Sequence, residues 1–208
     1  DATAGSNVWV NVGGGFGMKG ISYGEDNLVL WGAKVTGRPV KWVGDRLESF
    51  MSDSHGRDVI ADCEMAFDTD GKVTGLRVSA DYNVGAYLSG SAGISPMFFS
   101  ILLSGVYTIP AVDVTTRCLF TNMGATAPYR GAGRPEAAYI LERLLDIAAR
   151  ELNIDPIEIR RINLVKADQM PYQTALMPNL DCGDFEAVMD KGIEISDWND
   201  FETRKTVT

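Results

Sequence analysis

Apolar and polar residues alternate near the start of the chain, with Val8, Val10 and Val12 on one side and Trp9 and Asn11 on the other. A period of two predicts a strand with one buried face. The strand runs into Gly13-Gly14-Gly15-Phe16-Gly17-Met18-Lys19-Gly20, where the glycines free the backbone for φ > 0 and let a ligand approach the main chain closely. From Glu25 the period lengthens to that of a helix. Leu28, Trp31, Val35 and the small Gly32 share a side, Glu25 and Asp26 suit the positive end, and Gly37 before Arg38-Pro39 ends it.

Pro39 to Val43 reads as a strand with proline at its start. Arg46 to Arg57 is polar and holds the one histidine, His55, which has no ligand-type neighbours at metal spacing and is expected to be structural. Asp58 to Phe67 and Lys72 to Tyr82 alternate as strands, and Asp68-Thr69-Asp70-Gly71 between them signals a hairpin. Gly85 to Gly93 reads as a loop. Pro96 opens a helix through Met97 to Leu103 that is apolar nearly all round, which predicts burial on most sides.

Val112 to Phe120 is a further strand. It leads into a second glycine-bearing loop, Thr121 to Glu136, followed by a long helix whose buried stripe is Ile140/Leu141, Leu144/Leu145 and Ala148. A short helix ends at Asn163, with Asp155 as cap and Pro156 at its first position. Val165 to Leu180 has no clear period, helical patterning returns at Asp184, and the tail from Asp197 is polar apart from Trp198 and Phe201. Strands and helices mix without strict β-α-β alternation, so the fold class expected is α+β (mixed α/β).

Composition narrows the partners. The formal net charge of −9, with lysine and arginine scattered, argues against nucleic acid or an anionic membrane surface. Three widely spaced cysteines, Cys63, Cys118 and Cys182, suit buried thiols in a reducing, cytoplasmic setting better than a disulfide framework. Asp1 to Ser6 lacks the features of a signal peptide and reads as junction sequence, and no apolar run reaches membrane-spanning length.

Two strand-to-helix loops can converge on one site, each with backbone donors and the second with Arg130 and Arg134, suited to a phosphate or another anionic cofactor. The first loop is neither a P-loop, since Gly20 follows Lys19, nor a dinucleotide fingerprint, since Met18 stands where the third glycine belongs. Hydrolase and zinc-protease motifs are absent as well. The residues themselves lead to a cofactor-binding domain and no further.

Gly13-Gly14-Gly15-Phe16-Gly17-Met18-Lys19 resembles the first glycine loop of the molybdenum hydroxylases: xanthine dehydrogenases, aldehyde oxidases and carbon monoxide dehydrogenase-like large subunits. Ala127-Pro128-Tyr129-Arg130-Gly131-Ala132-Gly133-Arg134-Pro135-Glu136 resembles their second signature. Tyr107-Thr108-Ile109-Pro110 and the helix pair in Ala137 to Val165 also have counterparts there, and the likeness runs from about Val8 to the end.

The resemblance implies a molybdopterin cofactor, the cytosine dinucleotide being one form of it, with the molybdenum held by the pterin and no direct protein ligand. It implies hydroxylation of carbon with oxygen from water, electrons leaving through Fe–S and FAD centres on partner domains or subunits. It places Gly15, Phe16, Gly17, Arg130 and Gly131 at the cofactor, and Gly20, Phe98 and Ala132 in the substrate pocket. Xanthine dehydrogenases carry a Glu, an Arg and an aromatic at those three last positions, so the purine contacts are missing. Gly131 stands where the carbon monoxide enzymes carry a copper-binding Cys, so an aldehyde or an N-heterocycle is the expected substrate.

The family's general-base Glu is expected outside this chain, so the catalytic residue is not assigned. The whole, 1–208, is expected to be one partial molybdopterin-binding domain, with strands, hairpin and loops in 8–136 and mainly helices in 137–208. It would be inactive without the rest of the large subunit or other chains that complete the site. The competing expectation is a non-catalytic assembly or binding module of the same fold.

Overall fold

A computed structural model describes residues 13–206, leaving aside the side chain of Glu202. The expected strand Val8 to Val12 lies outside the described residues. The elements are α1 (Gly24–Thr36), α2 (Arg46–Ser52), β1 (Val59–Phe67), β2 (Val73–Gly85), α3 (Ile94–Ile101), β3 (Val112–Phe120), α4 (Arg134–Leu152), α5 (Pro156–Asn163), β4 (Tyr172–Gln173), β5 (Asn179–Leu180), α6 (Phe185–Ser196) and α7 (Phe201–Lys205). The mixed α/β class expected from the sequence is the one found. No described helix is long and apolar enough to cross a membrane.

The chain divides into two compact units. The first holds the described residues up to Val59 with Asp81–Met97 and Arg117–Gly133; the second holds Ile60–Ala80, Phe98–Thr116 and the chain from Arg134 on. β1, β2 and β3 form one sheet in that order. β2 is its middle strand, with Val73, Leu76, Val78, Ala80, Tyr82 and Val84 all buried. Its neighbour β1 alternates strictly between half-buried and exposed residues, as its period-two sequence requires. The hairpin turn closes where expected: the Asp68 carboxylate accepts from the backbone N–H groups of Asp70 and Lys72, and Gly71 sits at φ 81°.

Most of the apolar core belongs to the second unit. Phe99, Leu103, Ile109, Leu145, Ile159 and Val165 are all essentially inaccessible. Asn163 is buried among them and fully used: its side-chain oxygen accepts from the Val73 N–H at 2.8 Å, and its amide donates to the Gly71 and Ile159 carbonyls at 2.9 and 2.8 Å. It ties the hairpin turn to α5. Arg160, on the same helix, bonds Glu142 and Asp146 of α4 at 2.7 and 2.8 Å, and Glu142 also accepts from the Tyr107 hydroxyl at 2.7 Å. Burial first, and Glu142 second, push the Tyr107 phenol well above its ordinary range. α5 is capped as the sequence predicts, with Asp155 accepting from the N–H groups of Ile157 and Glu158.

Several expectations from the pattern alone need correcting. Pro39 to Val43 forms no strand; Trp42 and Val43 are exposed, and alternation without a neighbouring edge has nothing to pair with. Arg46 to Ser52, which the sequence marks only as polar, is helix α2, set by a reciprocal cap in which Asp45 and Glu48 each accept from the other's backbone N–H, at 2.9 and 2.8 Å. β2 continues three residues beyond Tyr82, to Gly85. α3 begins at Ile94, before Pro96, and Met97 on it is half exposed, so burial does not surround this helix. α1 ends at a left-handed Gly37 as expected, yet its stripe Leu28, Trp31 and Val35 stays about two-thirds exposed.

Candidate functional site

The first unit brings the two glycine loops together. Phe16 (φ 52°) and Gly17 (φ 101°) both lie at positive φ and turn the chain into a short 3₁₀ segment, Met18–Gly20. The Lys19 N–H donates to the Gly15 carbonyl at 2.9 Å and the Gly20 N–H to that of Gly17 at 3.1 Å. The Tyr23 hydroxyl, at the start of α1, donates to the Met18 carbonyl at 2.7 Å and fastens the turn from below. Burial, then the charge of Asp53, raise the pKa of that phenol.

The second loop is held along its length before it reaches its glycines. Thr126 bridges the backbone of His55, and the Ala127 N–H donates to the His55 carbonyl at 2.9 Å. Thr126 further donates through its hydroxyl to the Asn83 carbonyl at 3.0 Å and accepts at its own carbonyl from Ser89 at 2.7 Å. Beyond Arg130, Gly131, Ala132 and Gly133 take φ of 103°, 45° and 86°, a run of left-handed backbone closed by the Ala132 N–H donating to the Tyr129 carbonyl at 2.7 Å. Such a run turns the chain sharply just before α4, at positions where two of the three residues are glycine.

The loops meet main chain to main chain. A Cβ placed on Gly17 would lie 1.8 Å from the Pro128 carbonyl oxygen and 3.2 Å from the Tyr129 Cα. Only glycine permits this approach. Around the contact two arginines lie on two aromatic rings: Arg130 is 5.3 Å from the Phe16 centroid and Arg57 is 4.5 Å from that of Tyr129. Arg57, itself at φ 60°, also donates from Nη2 to the Arg130 carbonyl.

Of the residues singled out in the sequence, Gly15, Phe16, Gly17, Gly20, Arg130, Gly131 and Ala132 all fall in this unit, on the two loops that touch at Gly17. Phe98 belongs to the other unit, on α3, where the Arg134 guanidinium lies 4.1 Å above its ring. Asp81 is engaged by Arg117 through bonds of 2.6 and 2.9 Å. His55 serves through its backbone. Arg57 escaped the sequence reading: nothing in its spacing marks it, and only folding sets it against residues 73 positions later.

Among the described residues, Cβ atoms on Gly13, Gly15 or Gly20 would meet nothing within 4 Å, so toward them this side of the first loop is open main chain. Open backbone and the exposed Arg130 side chain offer donors suited to a polar, anionic group. A polar cofactor with those features would be held without any metal-ligating side chain.

Comparison with known proteins gives the family. Residues 8–164 match the molybdopterin cofactor-binding domain, and the chain belongs to that family. It is 34% identical over 167 residues to the 6-hydroxypseudooxynicotine dehydrogenase complex subunit gamma of Paenarthrobacter nicotinovorans, covering 80% of this chain and 21% of that one. It is 36% identical over 195 residues to the carbon monoxide dehydrogenase large chain of Hydrogenophaga pseudoflava, covering 90% and 24%. The quinoline 2-oxidoreductase structure from Pseudomonas putida 86 superposes with a TM-score of 0.87 at 31% identity, over 94% of this chain and 25% of that one. The chain thus spans about a quarter of the length of these relatives.

Proposed function

We propose that the chain is part of the catalytic subunit of a molybdenum hydroxylase that oxidises an N-heterocycle or an aldehyde, using oxygen from water. The observation that carries the reading is the backbone contact of Gly17 with Pro128, which unites the two signature loops of the cofactor-binding family in one wall. The names of the relatives that act on 6-hydroxypseudooxynicotine and quinoline favour a nitrogen-containing organic substrate. Gly131 in place of a cysteine disfavours carbon monoxide, and Gly20, Phe98 and Ala132 offer no purine contacts.

The overall step replaces a C–H bond by C–OH; the oxygen comes from water, and two electrons and two protons leave. The molybdopterin, when bound, supplies the redox-active metal that takes the electron pair, and Fe–S and FAD partners pass it on. This chain's residues bind and orient. Gly15, Gly17 and Gly131 offer main chain to the cofactor, the Arg130 guanidinium complements its negative charge, and the Phe16 ring keeps water from that side. Ala132 adds a small apolar side chain on the second loop. The proton is abstracted by a carboxylate from the remainder of the subunit, which together with this chain forms a cytoplasmic multi-chain enzyme.

The test is to isolate the subunit with its natural partner chains and measure molybdenum, pterin, and transfer of isotopic oxygen from labelled water into a quinoline-type substrate. Near-stoichiometric metal and labelled product are expected. A clean complex with neither metal nor pterin would refute the proposal. In the Arg130→Ala variant the metal content should fall, and full occupancy would remove this loop from the site.

A further inference from the structure

We infer that Arg57 is a positioning residue that sets the direction of the Arg130–Gly131 peptide, and through it the face the second signature loop offers to the cofactor. The inference rests on the proposed function, and begins from how residues 53–57 run beside residues 124–130. The His55–Thr126 bridge and the Ala127-to-His55 hydrogen bond align the two segments. Gly56 lies so close that a Cβ there would be 3.0 Å from the Tyr129 Cβ and 3.2 Å from the Ala127 carbonyl oxygen. Arg57 follows at φ 60°, a conformation an L-residue adopts only where its surroundings hold it.

Its side chain makes two contacts that lead one way. The guanidinium stacks 4.5 Å over the Tyr129 ring and donates from Nη2 to the Arg130 carbonyl. A planar, forked cation does both at once; a lysine ammonium is a compact point charge that keeps charge without the fork. The carbonyl it holds shares a peptide plane with the Gly131 N–H, and in a trans peptide the two point in opposite directions. Gly131 stands at φ 103°, where glycine tolerates more than one orientation of that plane. Anchoring the carbonyl removes the freedom. The Gly131 N–H is turned away from Arg57, and the Arg130 side chain leaves the same residue to reach the Phe16 ring. One contact therefore orients both features of the loop assigned to the cofactor.

The experiment compares Arg57→Gly and Arg57→Lys in the complete enzyme complex. Glycine is at ease at φ 60°, so it removes the side chain without straining the backbone, and the variant should remain folded, with a thermal midpoint lowered only by the lost side-chain contacts. Molybdenum and pterin per subunit should fall at least about threefold in Arg57→Gly, with an intermediate loss in Arg57→Lys, and the molybdenum paramagnetic spectrum of the remaining sites should broaden or shift. Wild-type metal content and spectrum in a folded Arg57→Gly would overturn the inference. If that variant does not fold, a folded Arg57→Lys with unaltered content and spectrum overturns it equally. A wild-type complex without molybdenum would instead refute the functional reading itself, before Arg57 is put to the question.

Discussion

Gly15 and Gly17 are two positions apart in one glycine run, yet alanine should be tolerated at the first and not at the second. At Gly15 a Cβ meets nothing within 4 Å among the described residues. At Gly17 it would lie 1.8 Å from the Pro128 carbonyl oxygen, and the backbone there sits at φ 101°. Non-bonded heavy atoms rest about 3.5 Å apart, so the loops must part by about 1.7 Å to admit the methyl group. Holding alanine at that φ in the joined loops strains the backbone by about 1–3 kcal/mol. Gly17→Ala should therefore favour the parted state of the loops by at least about that amount, while Gly15→Ala leaves the fold within about 0.5 kcal/mol of wild type. Amide hydrogen exchange resolved to residues 13–20 and 124–133 reads this directly, since a shift of that size in loop opening accelerates exchange by about fivefold or more. In the metal-loaded complex the control becomes informative: a Gly15→Ala variant with native exchange but reduced molybdenum would place the cofactor on the open side of the loop. Equal exchange in Gly17→Ala and wild type would refute the packing argument.

Other perturbations test the frame beneath the site. Asn163→Ala removes three buried hydrogen bonds and leaves the Val73 N–H without its side-chain acceptor; a loss of about 3 kcal/mol is expected, seen as a drop of about 1.5 M in the urea midpoint. A midpoint within about 0.3 M of wild type would contradict the assigned bonds. Arg160→Met breaks bonds to Glu142 and Asp146, and because both partners remain nearly half exposed the loss should be about 2 kcal/mol by the same denaturation assay, below that of a fully buried pair. Hydrogen bonds from Arg161, then Lys166, hold the Glu186 carboxyl below its usual pKa. Because the folded value is the lower one, the stabilisation is present above the ordinary glutamate pKa of about 4.3 and is lost as pH falls through the depressed value. Melting followed from about pH 6 down to pH 3 should show an acid slope that Glu186→Gln flattens and high salt shrinks; identical slopes in wild type and variant would remove the assignment.

What the residue pattern disclosed depended on how local the cause was. β1, β2, β3, α4 and α5 follow from alternation, helical stripes and caps whose partners lie within four residues, and the structure has them where expected. Pro39 to Val43 failed because a strand needs an edge to pair with, which no short window reveals. α2 leaves no apolar period to read, since its signal is the Asp45–Glu48 cap. At the site, the glycine runs advertised two cofactor loops, but their contact depends on Gly17 meeting Pro128 across more than a hundred residues. Arg57 is the extreme case, since its role exists only as a relation to Tyr129 and Arg130.

The meeting of Gly17 with Pro128 has a consequence for how such a wall can diversify. Both partners in the contact are main chain, so its shape does not depend on the side chains that flank it. Exchanging residues at Gly20 or Ala132 alters what the wall displays while the join at Gly17 keeps its geometry. Under the proposed function, substrate preference can then drift by side-chain replacement without disturbing the join that would seat the cofactor. The frame and the selector are separate parts of one loop pair, and only the frame demands glycine.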